Sequence, residues 1–175
     1  AEVVSELYGV IREAAGDAVV IACNAVSHLS AGIFEVYRTG DDTSGRLWSR
    51  TRAYGVNTLA FRLCQNNAFY KIDADCVGII PGKIDWSLNR QWLDILSVSG
   101  SPLFISVKPD DITDGMKEDI KKAFSRNSGQ KDKAEPLDWL YNNQPQCWLI
   151  NGEKREYDFV ENSYPELLSG STQSY

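Results

Sequence analysis

Four short apolar runs, Val19–Cys23, Ile33–Tyr37, Phe69–Ile72 and Pro102–Val107, most constrain what this 175-residue chain can fold into. Continuous apolar runs of this length suit strands buried on both faces, as in a parallel sheet covered by helices. The stretches around them carry helical periodicity. Leu7, Val10, Ile11 and Ala14 mark a helix over about 5–15 that ends at Gly16, and Asn24–Ser30 reads as a short helix or loop. Leu47, Trp48, Tyr54, Leu59 and Phe61 trace a long amphipathic stretch from Gly45 to about Leu63. Asp85 is placed to cap a helix over 86–98 closed by Gly100, and a further helix spans roughly 113–125. The expected class is α/β, with four parallel βα units, half the number that closes an eight-unit barrel. An open four-stranded sheet leaves edges at 19–23 and 102–107. Neither has the charge and proline pattern that blunts an edge, so something else is expected to cover them.

A hydrophobic content of 43% over this length supports one sizeable core. The formal net charge is −6 with no long basic run, which argues against a nucleic-acid surface. No apolar stretch reaches the ~18 residues of a membrane span, and the first residues lead straight into an amphipathic helix, so no leader peptide is expected in this chain. Cys23, Cys64, Cys76 and Cys147 lack metal-binding spacing and His28 is the single histidine, so a Cys/His zinc site is not expected. Cys23 and Cys76 lie in or beside apolar runs and read as small buried hydrophobes. Three disulfide pairings stay open, and with them the compartment.

The chemistry concentrates where two of the runs end. Ile33–Tyr37 leads into Arg38-Thr39-Gly40-Asp41-Asp42, and Phe69–Ile72 into Asp73-Ala74-Asp75-Cys76. If both strands run parallel, the two acidic pairs share the C-terminal rim, where α/β folds bind ligands. The competing reading of Asp41 and Asp42 is a helix cap assisted by Thr43 and Ser44. No strand is followed by a G-x-G-x-x-G or Walker loop, which removes the usual nucleotide readings.

Beyond residue 125 the pattern changes. Arg126 to Lys133 is polar and reads as a solvated loop, after which Leu137, Trp139, Leu140, Trp148, Leu149, Tyr157 and Phe159 form an extension expected to pack on the core. Asn151-Gly152 is a tight-turn dipeptide between Cys147–Ile150 and Arg155–Val160, the signature of a hairpin within 147–160. The last stretch, 169–175, is expected to fray. The domain expectation is a unit over 1–125 and an extension over 126–175.

The succession CNAVSH, FEVYRTGDD, FYKIDAD and LNRQWLDILSVSGSPLFISVKP resembles the C-terminal half of the TIM-type (β/α)8 catalytic barrel of α-galactosidase-like enzymes, glycoside hydrolase families 27 and 36 of clan D. The resemblance covers about residues 1–125. It implies a sugar-contacting polar residue at Asn24 beside Cys23, a substrate-orienting arginine at Arg38, the general acid/base at Asp42, and a substrate-contacting aspartate at Asp75 with Cys76 lining the pocket. It further implies hydrolysis of a terminal α-galactoside or related carbohydrate without metal or cofactor, and tilts the expected location toward the outside of the cytoplasm. A retaining glycosidase needs two carboxylates about 5–5.5 Å apart, a proton donor and a nucleophile. In these enzymes the nucleophile ends the fourth barrel strand in a Lys-x-Asp context, and no such strand precedes Ser5 here.

The chain is therefore expected to be a fragment that carries the acid/base but not the nucleophile, and to be inactive alone. Its partner is then the missing N-terminal half-barrel or a second copy that covers the sheet edges. Asp41 is assigned to a helix cap, Asp73 to a partner for Arg38 or a backbone amide, and Trp48 either to the leaving-group side of the pocket or to the core. Two alternatives accompany this reading. One is a non-catalytic, sugar-binding half-barrel. The other, more remote, is a phosphoacceptor receiver-like regulatory domain using the acidic residues, Lys108 and magnesium, although a strand already precedes the acidic pair.

Overall fold

The computed structural model describes residues 1–129 and 134–159. Helix α1 (Glu2–Ala15) ends where Gly16 takes φ 55°, a left-handed geometry that glycine adopts without penalty. Strands β1 (Ile21–Ala22), β2 (Val36–Arg38) and β3 (Lys71–Asp73) form a parallel sheet in that order, with Ala22 opposite Tyr37 and Arg38 opposite Asp73. The short helix α2 (Ser27–Ser30) lies between the first two. Strand β4 (Cys76–Gly78) pairs in parallel with β5 (Phe104–Ser106). Helix α5 (Trp86–Val98) joins these two strands, and α6 (Asp114–Ser128) follows β5.

The expected single four-stranded sheet is thus two small parallel sheets, and the half-barrel is not formed as one continuous ladder. The break falls at Ala74-Asp75, where Asp75 adopts φ 69° and its amide donates to Asp73 Oδ1 at 2.8 Å rather than to a neighbouring strand. The third run is therefore ordered later than its apolar residues suggest, at 71–73, and continues as a fourth strand at 76–78. The first, second and last runs also contract, to 21–22, 36–38 and 104–106. Among the described residues β1 pairs only with β2, and β5 only with β4, so both expected edges are open.

The stretch expected as one helix over 45–63 is composite. Helix α3 (Trp48–Arg50) opens into a π-helical turn over Thr51–Val56 before α4 (Asn57–Arg62). Gly55 lies against the Trp92 ring, where a Cβ would sit 3.0 Å from Cζ2, so the missing side chain lets this turn press onto α5. Helix α5 is capped as expected by Asp85, whose Oδ1 accepts from Ser87 N at 2.8 Å. Thr113 caps α6, which runs through Ser128, so Arg126–Ser128 are helical and not part of a loop. Residues 130–133 and 160–175, including the end of the predicted hairpin and the terminal stretch, lie outside the described residues.

One core joins the parallel strands to the C-terminal segment. Trp92, Ile95, Leu96 and Val98 of α5 are fully buried with Ile72, Val77, Val56 and Leu59, and Trp148 and Phe159 enter the same cluster. The antiparallel sheet β6 (Ala134–Pro136), β7 (Cys147–Ile150) and β8 (Glu153–Glu156) turns at Asn151-Gly152. A smaller cluster of Tyr8, Ala22 and Phe34 sits under α1.

Asp94 on α5 fastens the C-terminal sheet to this core. Its carboxylate takes Arg126 of α6 on Oδ1, and Arg155 at 3.2 Å and the Tyr157 hydroxyl at 2.7 Å on Oδ2. Burial pushes its pKa up, but these donors outweigh burial and hold the carboxyl below the ordinary range. A depressed folded-state value means that the stabilisation is fully present above the unfolded value of about 3.9 and is lost as pH falls through the folded one. Asp94→Asn is expected to lower stability by about 2 kcal/mol at neutral pH, with the difference shrinking below about pH 4. Urea unfolding of both proteins at several pH values checks this. A deficit independent of pH contradicts it.

Candidate active site

The strand ends bring Arg38, Asp42, Asp75 and Cys76 together, as the rim position predicts. Arg38 closes β2 and sends one nitrogen, Nη2, to both carboxylates: it is ion-paired to Asp42 Oδ1 and lies 3.4 Å from Asp75 Oδ2. Its Nη1 contacts Cys23 Sγ at 3.6 Å. Burial pulls the guanidinium toward neutrality, but Asp42 and Asp75 more than offset it, and the group is held above its usual value. Arg38 is therefore a fixed cation between two acids from two different strand ends.

Each acid is oriented differently. Asp75 Oδ2 accepts from Thr43 N at 2.6 Å and Thr43 Oγ1 at 3.1 Å, while Thr43 Oγ1 also lies 2.6 Å from the Cys76 carbonyl. Thr43 is 1% exposed, so the loop after β2 is sewn to the turn before β4 through a buried hydroxyl. Asp42 keeps its side chain half exposed, and its amide donates to Asp41 Oδ1 at 2.7 Å. Asp41 caps no helix, contrary to expectation: α3 begins seven residues on, and Asp41 instead pairs with Arg50 Nη2 at 2.7 Å. Asp73 meets the amide expectation, accepting from Asp75 N, and burial raises its carboxyl above the usual range.

Two cysteines flank the cluster. Cys23, expected to be buried, is exposed one residue beyond β1, because the strand ends at Ala22 and releases it to the rim. Cys76 is half-buried, and burial pushes its thiol up to about 12, so it stands as a neutral wall of the site. Asn24 follows Cys23 at φ 56° with an exposed side chain, on the same rim. Trp48 is core: it is 7% exposed and tilted against Phe159 at 6.2 Å.

Thr43 and Arg50 are members of the cluster that sequence reasoning undervalued. Undervalued too is a backbone crossing that holds the loop in place. Gly45 and Gly78 touch so closely that a Cβ on Gly45 would lie 2.2 Å from the Gly78 carbonyl oxygen. A signal was present: each glycine stands three residues after its acid, in Asp42-Thr-Ser-Gly45 and Asp75-Cys-Val-Gly78. Among the described residues no group of three or more His, Cys, Asp or Glu side chains is arranged to hold a metal ion.

No family model and no curated protein matches the chain. Solved structures do. It superposes on an α-galactosidase from Thermus thermophilus in complex with p-nitrophenyl α-D-galactopyranoside, with a TM-score of 0.57 at 15% identity, over 89% of this chain and 33% of that one. It also superposes on α-galactosidase I from Mortierella vinacea, with a TM-score of 0.58 at 14% identity, over 84% of this chain and 42% of that one. The chain has a remote α-galactosidase-like fold and spans 33% and 42% of these two enzymes.

Proposed function

We propose that the chain supplies the acid/base side of a retaining α-galactosidase-like glycosidase, of the family 27 and 36 type, acting on terminal α-linked galactose or N-acetylgalactosamine. The observation that carries this is Arg38 bound at once to Asp42 and Asp75 where parallel strands end. The fold likeness supports it at the level of architecture. Asp42 is the half-exposed carboxyl and has the freedom to reach a glycosidic oxygen, whereas Asp75 is clamped by Thr43 and suits hydrogen bonding to ring hydroxyls.

For Asp42 to deliver a proton, its ion pair with Arg38 has to open. A sugar hydroxyl entering between them accepts from Arg38 and releases Asp42, which couples occupancy of the site to the proton donor. Asn24 and Cys76 complete the glycone pocket. The nucleophile comes from another segment, a preceding half-barrel, that pairs with the open edge of β1. Val3, Leu7, Val10 and Ile11 on α1 and Ile21 on β1 are exposed and offer such a segment apolar surface.

The test is hydrolysis of an aryl α-galactoside by the full encoded polypeptide, with galactose binding measured alongside. Turnover is expected, and Arg38→Ala should weaken galactose binding about tenfold or more. Galactose binding without turnover would instead fit the non-catalytic sugar-binding reading, and no binding at all would overturn both.

A further inference from the structure

A second cleft, of about 530 Å³, opens between α5, α6 and β8, on elements that contribute nothing to the Arg38 cluster. Cationic side chains reach it from all three: Arg90 from α5, Lys122 and Arg126 from α6, and Arg155 from β8. Helical spacing explains part of this convergence, since Lys122 and Arg126 lie four apart on the face of α6 that meets α5. In a chain of net charge −6 this gathering of four cations is a local reversal of sign.

Three acids, Asp94, Asp119 and Glu156, line the cleft as well and leave it one net positive charge. Asp94 bridges Arg126 and Arg155, one carboxylate between two guanidiniums, and each guanidinium has five N–H donors to offer. Asp119 is turned toward the Trp86 indole N–H at 3.1 Å and stands 3.9 Å from Arg90, and Glu156 is drawn to Lys154 at 2.8 Å. Arg90 and Lys122 are both exposed at the rim of the cleft.

We propose that this cleft binds a tetrahedral oxyanion, phosphate or sulfate, either free or as the ester group of a sugar. The Asp94 carboxylate already displays the recognition geometry, with oxygens shared by guanidiniums from a helix and a strand and by the Tyr157 hydroxyl. A tetrahedral anion at the rim meets Arg90 and Lys122 directly and draws on the remaining Arg126 and Arg155 donors.

The experiment is calorimetric titration of inorganic phosphate, inorganic sulfate and galactose 6-phosphate into the protein at constant ionic strength. Saturable one-site binding of at least one of them is expected. Free anion binding points to the first source, and binding of the sugar ester alone to the second. The double variant Arg90→Ala/Lys122→Ala alters exposed side chains and is expected to keep its unfolding midpoint while losing affinity about tenfold or more. The proposal fails if none of the three anions saturates the protein, or if the double variant binds them like the parent. Neither result depends on glycosidase activity.

Discussion

On the proposed function, Asp42→Asn in the full encoded polypeptide is expected to slow hydrolysis of α-galactosides with poor leaving groups by about 10²–10⁴-fold, while substrates with activated aryl leaving groups lose far less in the first chemical step. The asymmetry follows from the role. A nitrophenolate departs without a proton, whereas a sugar alkoxide needs one delivered as the bond breaks. The second step, attack of water on the glycosyl intermediate, loses its base in the variant, and azide, a nucleophile needing no deprotonation, should restore part of the rate and release a glycosyl azide. The substitution keeps side-chain size and an acceptor for Arg38, so the Arg38–Asp75 arrangement survives. Steady-state kinetics across a series of leaving groups makes the measurement. Equal loss on every leaving group, or none, removes Asp42 from the acid/base role.

How much of this was legible before the structure depends on the length scale of each signal. Helix α5 is legible at both ends, because Asp85, the apolar positions from Leu88 to Leu96 and Gly100 are local and mutually consistent. The hairpin turn at Asn151-Gly152 was equally local. Strand limits were not. Apolar runs report burial, and burial extends past the residues that share ladder hydrogen bonds, so all four runs were read longer than or offset from the strands they contain.

The site behaved the same way. That Arg38, Asp42 and Asp75 would share a rim followed from parallel order, but their joining by one guanidinium nitrogen depends on the Asp75 backbone at φ 69°, which no propensity in Asp73-Ala74-Asp75 announces. Asp41 was misread because an Asp before Thr and Ser resembles a cap, and the partner that decided otherwise, Arg50, lies nine residues away. The second cleft was invisible for a related reason. Its four cations are spread over 66 positions of sequence, Arg90 to Arg155, and only the packing of α5 on α6 and β8 collects them.

Gly45→Ala is expected to be the most damaging small substitution in the molecule. The residue holds φ 80°, where an L side chain is strained by about 1–3 kcal/mol, and its new Cβ would lie 2.2 Å from the Gly78 carbonyl oxygen and 2.4 Å from the Gly78 carbonyl carbon. Backbone cannot swing aside as a side-chain tip can, so overpacking adds about 1–3 kcal/mol. The sum, roughly 2–6 kcal/mol, is a large share of the ~5–15 kcal/mol that holds a domain of this size folded. The damage is also directed. Any retreat of Gly45 moves the loop that carries Asp42 and Thr43, and Thr43 is what clamps Asp75, so galactose binding should fall further than global stability alone explains. Gly115→Ala supplies the contrast: it lies in α6 with no neighbour within 4 Å of a built Cβ and should stabilise by about 0.5–1 kcal/mol. Urea midpoints for the two variants, with galactose titrations at temperatures where each is folded, separate the effects. A Gly45→Ala protein with the parent's midpoint would mean that the Gly45 and Gly78 backbones do not meet as described, and the placement of Asp42 beside Asp75 would lose its mechanical basis.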